Sequence, residues 1–227
     1  MTMRKWGRAG YRIAPKCFFT ALPTHRLPEW WPSWEGETLV IVASGPSAGG
    51  VPIEMARGRA KVIAINNSWE LAPWADILFA CDAKWWDRHQ GCPDFEGLKL
   101  CIEKPACKRW GVGHVTCMKP DDRFFHEPKG TVGWGGNSGF HCLNLGVQFG
   151  VKRILLVGYD MHIKNGLHWH GSHLSGLNNP TAGNAERWRK SLDAAHKEIA
   201  KTGVEVLNCS PISALQKYPK AVFEDVI

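Results

Sequence analysis

No CxxC pair occurs among the eight cysteines of this 227-residue chain, although cysteine itself is not scarce. A zinc ribbon needs such paired spacings, so that class of site is excluded. In a chain of this length the scattered pattern points to reduced thiols, mostly buried as small hydrophobes, rather than to a disulfide framework. Long apolar runs are also missing. No stretch of about eighteen apolar residues exists, so no transmembrane helix is expected. The N-terminal "MTMRKWGRAGYRIAPKCFF" is basic but lacks the uninterrupted apolar segment of a secretory signal, and a soluble, cytoplasmic protein is expected. Acidic residues are in deficit, 21 against 28 Lys and Arg, for a net charge of +7 with neutral His. That balance favours an anionic partner: a nucleotide, a phosphorylated sugar or nucleic acid.

Tryptophan, by contrast, is abundant, at twelve residues. Trp30, Trp31 and Trp34 alternate with prolines, and Trp85–Trp86 follow the end of an apolar run. Most are expected in the core, but paired tryptophans beside a strand's C-terminus could equally stack a base or a sugar ring.

Residues 1–36 hold four prolines and four tryptophans with no sustained period, which reads as an irregular arm before a single domain over 37–227. Short, continuous, β-branched runs mark strands buried on both faces: Thr38–Ala43, Lys61–Asn66, Ala75–Asp82, Arg153–Val157 and "VEVLNCS". "LKLCI" and "HVTCM" are candidate short strands, and residues 84–134 read as a variable loop insertion, with Lys119–Trp134 a polar loop. Helices are expected at "VPIEMARG", with Gly58 as its stop, at "GFHCLNLGVQFG", at "NAERWRKSLDAAHKEIAKTG", capped at Gly203, and at "PISALQKY", with Pro at its start. Strands alternating with helices predict a doubly wound, mostly parallel α/β sheet of the Rossmann kind. Ligands of such sheets gather at the carboxyl ends of the strands. Five strand ends carry Ser44, Asn66, Asp82, Asp160 and Asn208. They read either as the rim of a site or as helix caps and turn formers.

Two segments carry candidate chemistry. "SGPSAGG" (residues 44–50) joins the first strand to the first expected helix, and its glycines and a helix N-terminus would offer N–H groups to a phosphate. It is neither a P-loop nor GxGxxG. "GLHWHGSH" (residues 166–173) sets His168, His170 and His173 in an H-x-H-x2-H array, with Asp160 and His162 just upstream. H-x-H on an extended segment puts both imidazoles on one side. A base or phosphate-binding role, a divalent metal site and a plain surface loop are all open, with the metal not favoured because carboxylate or cysteine partners are few.

In their order, "IVASGPSAGG", "AINN", "NSGFHCLNLGVQFGVKRILLVGYDM" and "VEVLNCSPISAL" resemble the bacterial sialyltransferases of single-Rossmann-domain, GT-A-like fold. They also resemble the related 6-hydroxymethylpterin pyrophosphokinase-like proteins. Phage-encoded proteins with a similar "HWHG" segment look most alike. The likeness spans residues 38–215. It implies a nucleotide-sugar donor at Gly45, Pro46 and Ser47, with Ser44 beside them, and at Asn66, Asp82, Ser138 and Gly139. Asp82 stands where the sialyltransferases have Asn, and His162 and His168 where they have two tyrosines. His173 aligns with the family's general base if one residue is inserted, with His170 and His168 as helpers. The implied function is transfer of a sugar to an acceptor hydroxyl, on phage DNA or a surface glycan. The relatives also suggest an ATP/Mg2+-dependent phosphoryl or pyrophosphoryl transferase using Asp82 and Asp160, and a non-catalytic nucleotide or nucleic-acid binding protein is the third reading.

Overall fold

The computed structural model describes residues 27–173 and 176–227; residues 1–26, most of the expected arm, lie outside the described residues. The strands are β1 (Thr38–Val42), β2 (Lys61–Ile65), β3 (Ile77–Phe79), β4 (Leu98–Cys101), β5 (Gly113–His114), β6 (Thr116–Met118), β7 (Thr131–Gly133), β8 (Arg153–Val157) and β9 (Glu205–Asn208). The α-helices are α1 (Ala83–Arg88), α2 (Lys104–Trp110), α3 (Ser138–Gln148), α4 (Ala182–Ala200) and α5 (Phe223–Val226). Seven strands form one sheet in the order β5-β4-β3-β2-β1-β8-β9, and β6 pairs with β7 in a second. Every pairing is parallel. The chain winds outward from β1 in one direction and from β8 in the other, so the strand order reverses between β1 and β8. This is the single doubly wound α/β domain expected.

Period-two alternation divides the core. Leu39 and Ile41 of β1, Ile63 of β2 and Ile77 and Phe79 of β3 face one layer, with Leu143 of α3 and Leu192 of α4. Val40 and Val42, Val62 and Ala64, and Leu78 face the other, with Ile53, Trp85, Trp86 and Phe223. Because both faces are covered, the strands read as unbroken apolar runs rather than as alternating ones. Each fully buried Leu or Ile contributes roughly 1.5–3 kcal/mol of hydrophobic stabilisation.

Several elements differ from expectation. "VPIEMARG" forms only a 3-10 turn, Ile53–Ala56, because Pro52 precedes it and Gly58 turns the chain at φ +75°. β2 stops at Ile65, and Asn66 leaves the strand with φ +51°. β3 is three residues long rather than the whole of Ala75–Asp82. "HVTCM" splits at Val115, so that β5 extends the main sheet while β6 joins β7. Thus β7 lies within the expected loop, and residues 84–134 hold α1, β4, α2, β5, β6 and β7. Helix α2 is an addition to the expected elements, although Pro105 at its start and Gly111 at φ +66° after it are ordinary boundary signals. "PISALQKY" is not helical. Its polar groups are tied elsewhere, the Ala214 N–H donating to the Asp160 carbonyl at 2.8 Å and the Tyr218 side-chain hydroxyl to the Leu192 carbonyl at 2.6 Å. The last helix is the short α5 instead.

Helix α3 is buried along its whole length, and its polar residues are framework. Asn144 Oδ1 accepts from the Phe125 and Gly133 N–H groups. Gln148 accepts from the Gly130 N–H and donates to the Phe125 and Thr131 carbonyls. These bonds satisfy backbone groups of Phe125, Gly130, Thr131 and Gly133 that the two-stranded sheet alone would leave without side-chain partners. Trp31 and Trp34 both meet Phe149 edge-on, at 4.8 and 5.0 Å between ring centroids, and fasten residues 27–36 to the same layer.

Candidate functional site

At the reversal between β1 and β8, two loop backbones come too close together to admit side chains. Gly45 and Gly158 face one another there: the Gly45 N–H donates to the Gly158 carbonyl at 3.0 Å. A Cβ on Gly45 would collide with that carbonyl oxygen and stand 2.8 Å from Asp160 Cγ. Gly158 has φ +71°, and a Cβ there would collide with the Ala43 carbonyl. Beside this junction opens a cleft of about 720 Å³, within the usual range for a small-molecule site.

Of the sequence-predicted residues, the cleft brings together Ser44, Gly45, Asn66, Asp82, Ser138, Gly139, Asp160, His162, His168 and His173. Pro46, Ser47 and His170 are not on its wall, and Asn208 lies apart, its Oδ1 accepting from the Ser210 N–H. Four of the five polar strand ends therefore share one rim.

Hydrogen bonding separates these residues into two groups. Asp160, almost fully buried, accepts from the Ser47 N–H at 2.8 Å and from the Ser47 hydroxyl. Ser44 Oγ donates to the Ile65 carbonyl and lies 3.2 Å from Ser68 Oγ. The Ala48 N–H donates to the Gly45 carbonyl. With Pro46 lacking an N–H, the first turn spends its donors at Gly45, Ser47 and Ala48 on the protein itself, which removes them from the anion cradle expected of it. His162 is held at both ring nitrogens, Nδ1 accepting from the Lys164 N–H and Nε2 facing the Ile212 carbonyl at 2.6 Å. Gly139 is a packing position, its carbonyl accepting from the buried Tyr159 hydroxyl at 3.0 Å.

The second group has capacity left. Asn66 Oδ1 is buried and has no hydrogen-bond partner among the described residues, and its left-handed backbone is one that Asn tolerates better than most residues. Asp82 occupies the N-cap position of α1 yet makes no cap hydrogen bond; its neighbour is the Cys81 thiol, 3.5 Å away. Burial, and then the Asp82 charge, push that thiol well above its usual pKa. Ser138 begins α3, where Asn137 caps the Phe140 N–H at 2.9 Å.

The histidine loop leans on the first turn. The Trp169 N–H donates to the Ser44 carbonyl at 3.1 Å and its indole Nε1 to Ser68 Oγ at 3.3 Å, so Trp169 anchors the loop rather than presenting a free ring. On the far side, the Asn179 side chain accepts from the His173 N–H at 2.8 Å. Between these anchors the three imidazoles gather, with ring centroids 5.0 Å (His168–His170), 4.4 Å (His168–His173) and 5.1 Å (His170–His173) apart. Burial first, and then the neighbouring imidazoles, pull His168 down to about 4. Burial likewise lowers His170 and His173, so all three are neutral near pH 7.

Trp85 and Trp86 are buried. Trp86 donates to the Ala80 carbonyl and Trp85 to Asn67 Oδ1, with His89 stacked on its ring at 4.0 Å. Sequence reasoning missed Trp134, Trp188, Asn137, Asn179 and Lys84 on the cleft wall. Asn179, before Pro180, and Asn137, at the start of α3, carried local signals, but those were for a turn and a helix cap.

No protein-family model matches the chain, and no curated protein matches it in sequence. Among solved structures the chain is similar to the sialyltransferase CstII from Campylobacter jejuni, determined in complex with a substrate analogue, cytidine-5'-monophosphate. The likeness has a TM-score of 0.54 at 13% identity and covers 82% of this chain and 85% of that one. The class this establishes is a sialyltransferase-like α/β fold.

Proposed function

We propose that the protein is a nucleotide-sugar-dependent glycosyltransferase. The observation that carries this reading is the switch-point cleft, whose wall presents the unpartnered Asn66 Oδ1, the uncapped Asp82 and the neutral histidines together. A cytidine nucleotide in the similarly folded sialyltransferase supports it. The donor lies against Asn66, Asp82 and the start of α3, while the Asp160-locked turn shapes the floor.

In the transfer, the acceptor oxygen forms a bond to the anomeric carbon as the bond from that carbon to the nucleotide phosphate oxygen breaks. The nucleotide leaves with the electron pair, and a single displacement inverts the anomeric centre. The acceptor's proton leaves at the histidine loop, with His173 at the cleft as the group nearest the task. A neutral imidazole is in the form that accepts a proton. Asp160 already serves Ser47 with both oxygens, which leaves Asp82 alone of the carboxylate pair that a Mg2+-phosphoryl transfer would use.

A thermal-shift panel of CMP-, UDP-, GDP- and ADP-sugars, with ATP plus Mg2+, tests the reading. A ligand bound only by the folded state raises stability by about 2.7 kcal/mol at a hundredfold excess over its Kd. One nucleotide-sugar is expected to shift the melting temperature. A shift from ATP with Mg2+ alone would replace this reading with phosphoryl transfer. His173→Ala is expected to lower turnover at least about 10²-fold with the donor shift retained, and full activity in that variant would remove its role.

A further inference from the structure

We propose that His168, His170 and His173 bind one divalent transition-metal ion of the Zn2+ class, with a coordination position open to the cleft. Each residue offers a ring nitrogen, and the three nitrogens lie within 4.8 Å of one another. In a tetrahedral zinc site with Zn–N near 2.0–2.1 Å, nitrogens stand about 3.3 Å apart, so the rings need to converge by about 1.5 Å at most. Side-chain rotation within an irregular loop supplies that much movement.

A further observation points to a ligand. Nε2 of His168 and Nε2 of His170 are buried without a hydrogen-bond partner among the described residues, a costly arrangement for polar atoms unless something completes it. The Trp169 and Asn179 anchors hold the loop on either side of the cluster.

The donor set selects the ion. Three imidazoles with no carboxylate suit Zn2+, Co2+, Ni2+ or Cu2+, whereas Mg2+ and Ca2+ require oxygen ligands. Three protein ligands leave a position for water or substrate, as in catalytic rather than structural zinc sites. His168 and His173 line the cleft, so that position faces the space assigned to the reactants. With the ion bound, the His173 lone pair is a ligand rather than a base. The ion would take over the base's task by acidifying an acceptor hydroxyl in the fourth position, whose proton passes to water. That role rests on the transfer reading, but metal binding does not.

The test uses the untagged full chain after chelator treatment and dialysis. Titration with Co2+ is expected to reach one equivalent, with visible absorption bands of tetrahedral cobalt that one equivalent of Zn2+ removes. Mg2+ should produce no competition. His170→Ala removes a ligand that is not on the cleft wall. It should abolish the cobalt bands while the nucleotide-sugar thermal shift persists. Asn179→Ala leaves all three ligands and removes the acceptor of the His173 backbone N–H, so Co2+ binding should weaken but persist, and a melting curve shows that each variant is folded. The proposal is overturned if the wild type binds no stoichiometric Co2+ or if His170→Ala binds it equally well. Cobalt binding without any nucleotide shift would instead overturn the transfer reading and leave the metal site standing.

Discussion

The first turn after β1 and the histidine loop lean on each other through Trp169 and Ser44, yet they treat their polar groups in opposite ways. In the turn, Ser44, Ser47 and Asp160 satisfy one another and nearby carbonyls. In the loop, two imidazole nitrogens remain bare among the described residues. Both segments attract notice for the same reason, a density of glycine and polar side chains after a buried strand. The difference teaches that a spent polar group builds the floor of a site, whereas an unspent one faces what the site binds.

The largest effect should come from breaking the satisfied half. Asp160→Ala removes a buried carboxylate and strips the partners from the half-buried Ser47 N–H and hydroxyl, and a loss of about 2–3 kcal/mol is expected. Chemical denaturation measures it. A loss below about 1 kcal/mol would show that the carboxylate is not holding the turn.

His141 sharpens the comparison, because its Nδ1 is also buried without a partner but is not on the cleft wall. Burial first, with the Lys119 charge adding, lowers its pKa to about 4, against the pull of its bond to the Trp134 carbonyl. The folded state therefore holds this proton more weakly than the unfolded chain. Stability should be at its full value above about pH 6.5 and fall as pH drops towards 4, by up to about 3 kcal/mol. Denaturation midpoints across that range, compared with those of His141→Gln, isolate the effect. An unchanged pH profile in the variant would assign the acid sensitivity to other groups.

The smallest effect tests the unspent half at its simplest. Asn66→Gly keeps the left-handed backbone at φ +51° and deletes the bare Oδ1. Donor affinity is expected to fall by about 1–2 kcal/mol, read by calorimetry, with folding stability unchanged or slightly raised. Undiminished affinity would place the donor elsewhere.

Much of the architecture was legible because parallel strands covered on both faces have a one-dimensional signature. Leu39–Val42 and Ile154–Val157 are apolar without interruption and end at Gly, Ser or Asp. Elements governed by distant partners were not legible. The 211–218 segment has a helical pattern with Pro at its start, but bonds to Asp160, Leu192 and Tyr159 from across the fold outweigh its local preference. β7 exists because β6 and the Asn144 and Gln148 side chains of α3 meet its backbone, and nothing within three residues of "TVG" announces that. The candidate site was half legible: residue types at strand ends placed Asn66 and Asp82, and the histidine-dense loop placed His168 and His173, while Asn137, Asn179 and Trp188 came from turns and a helix whose positions depend on packing.

The sequence by itself determined the layered parallel sheet and the presence of three histidines in one short loop, because burial on both faces and an H-x-H-x2-H spacing are local properties of the chain. Only the tertiary structure decided which polar groups are spent. Ser47 and Asp160 are separated by 113 residues, and Trp169 and Ser68 by 101. Hydrogen bonds of a few ångströms between such distant positions exist only after β1 and β8 have paired.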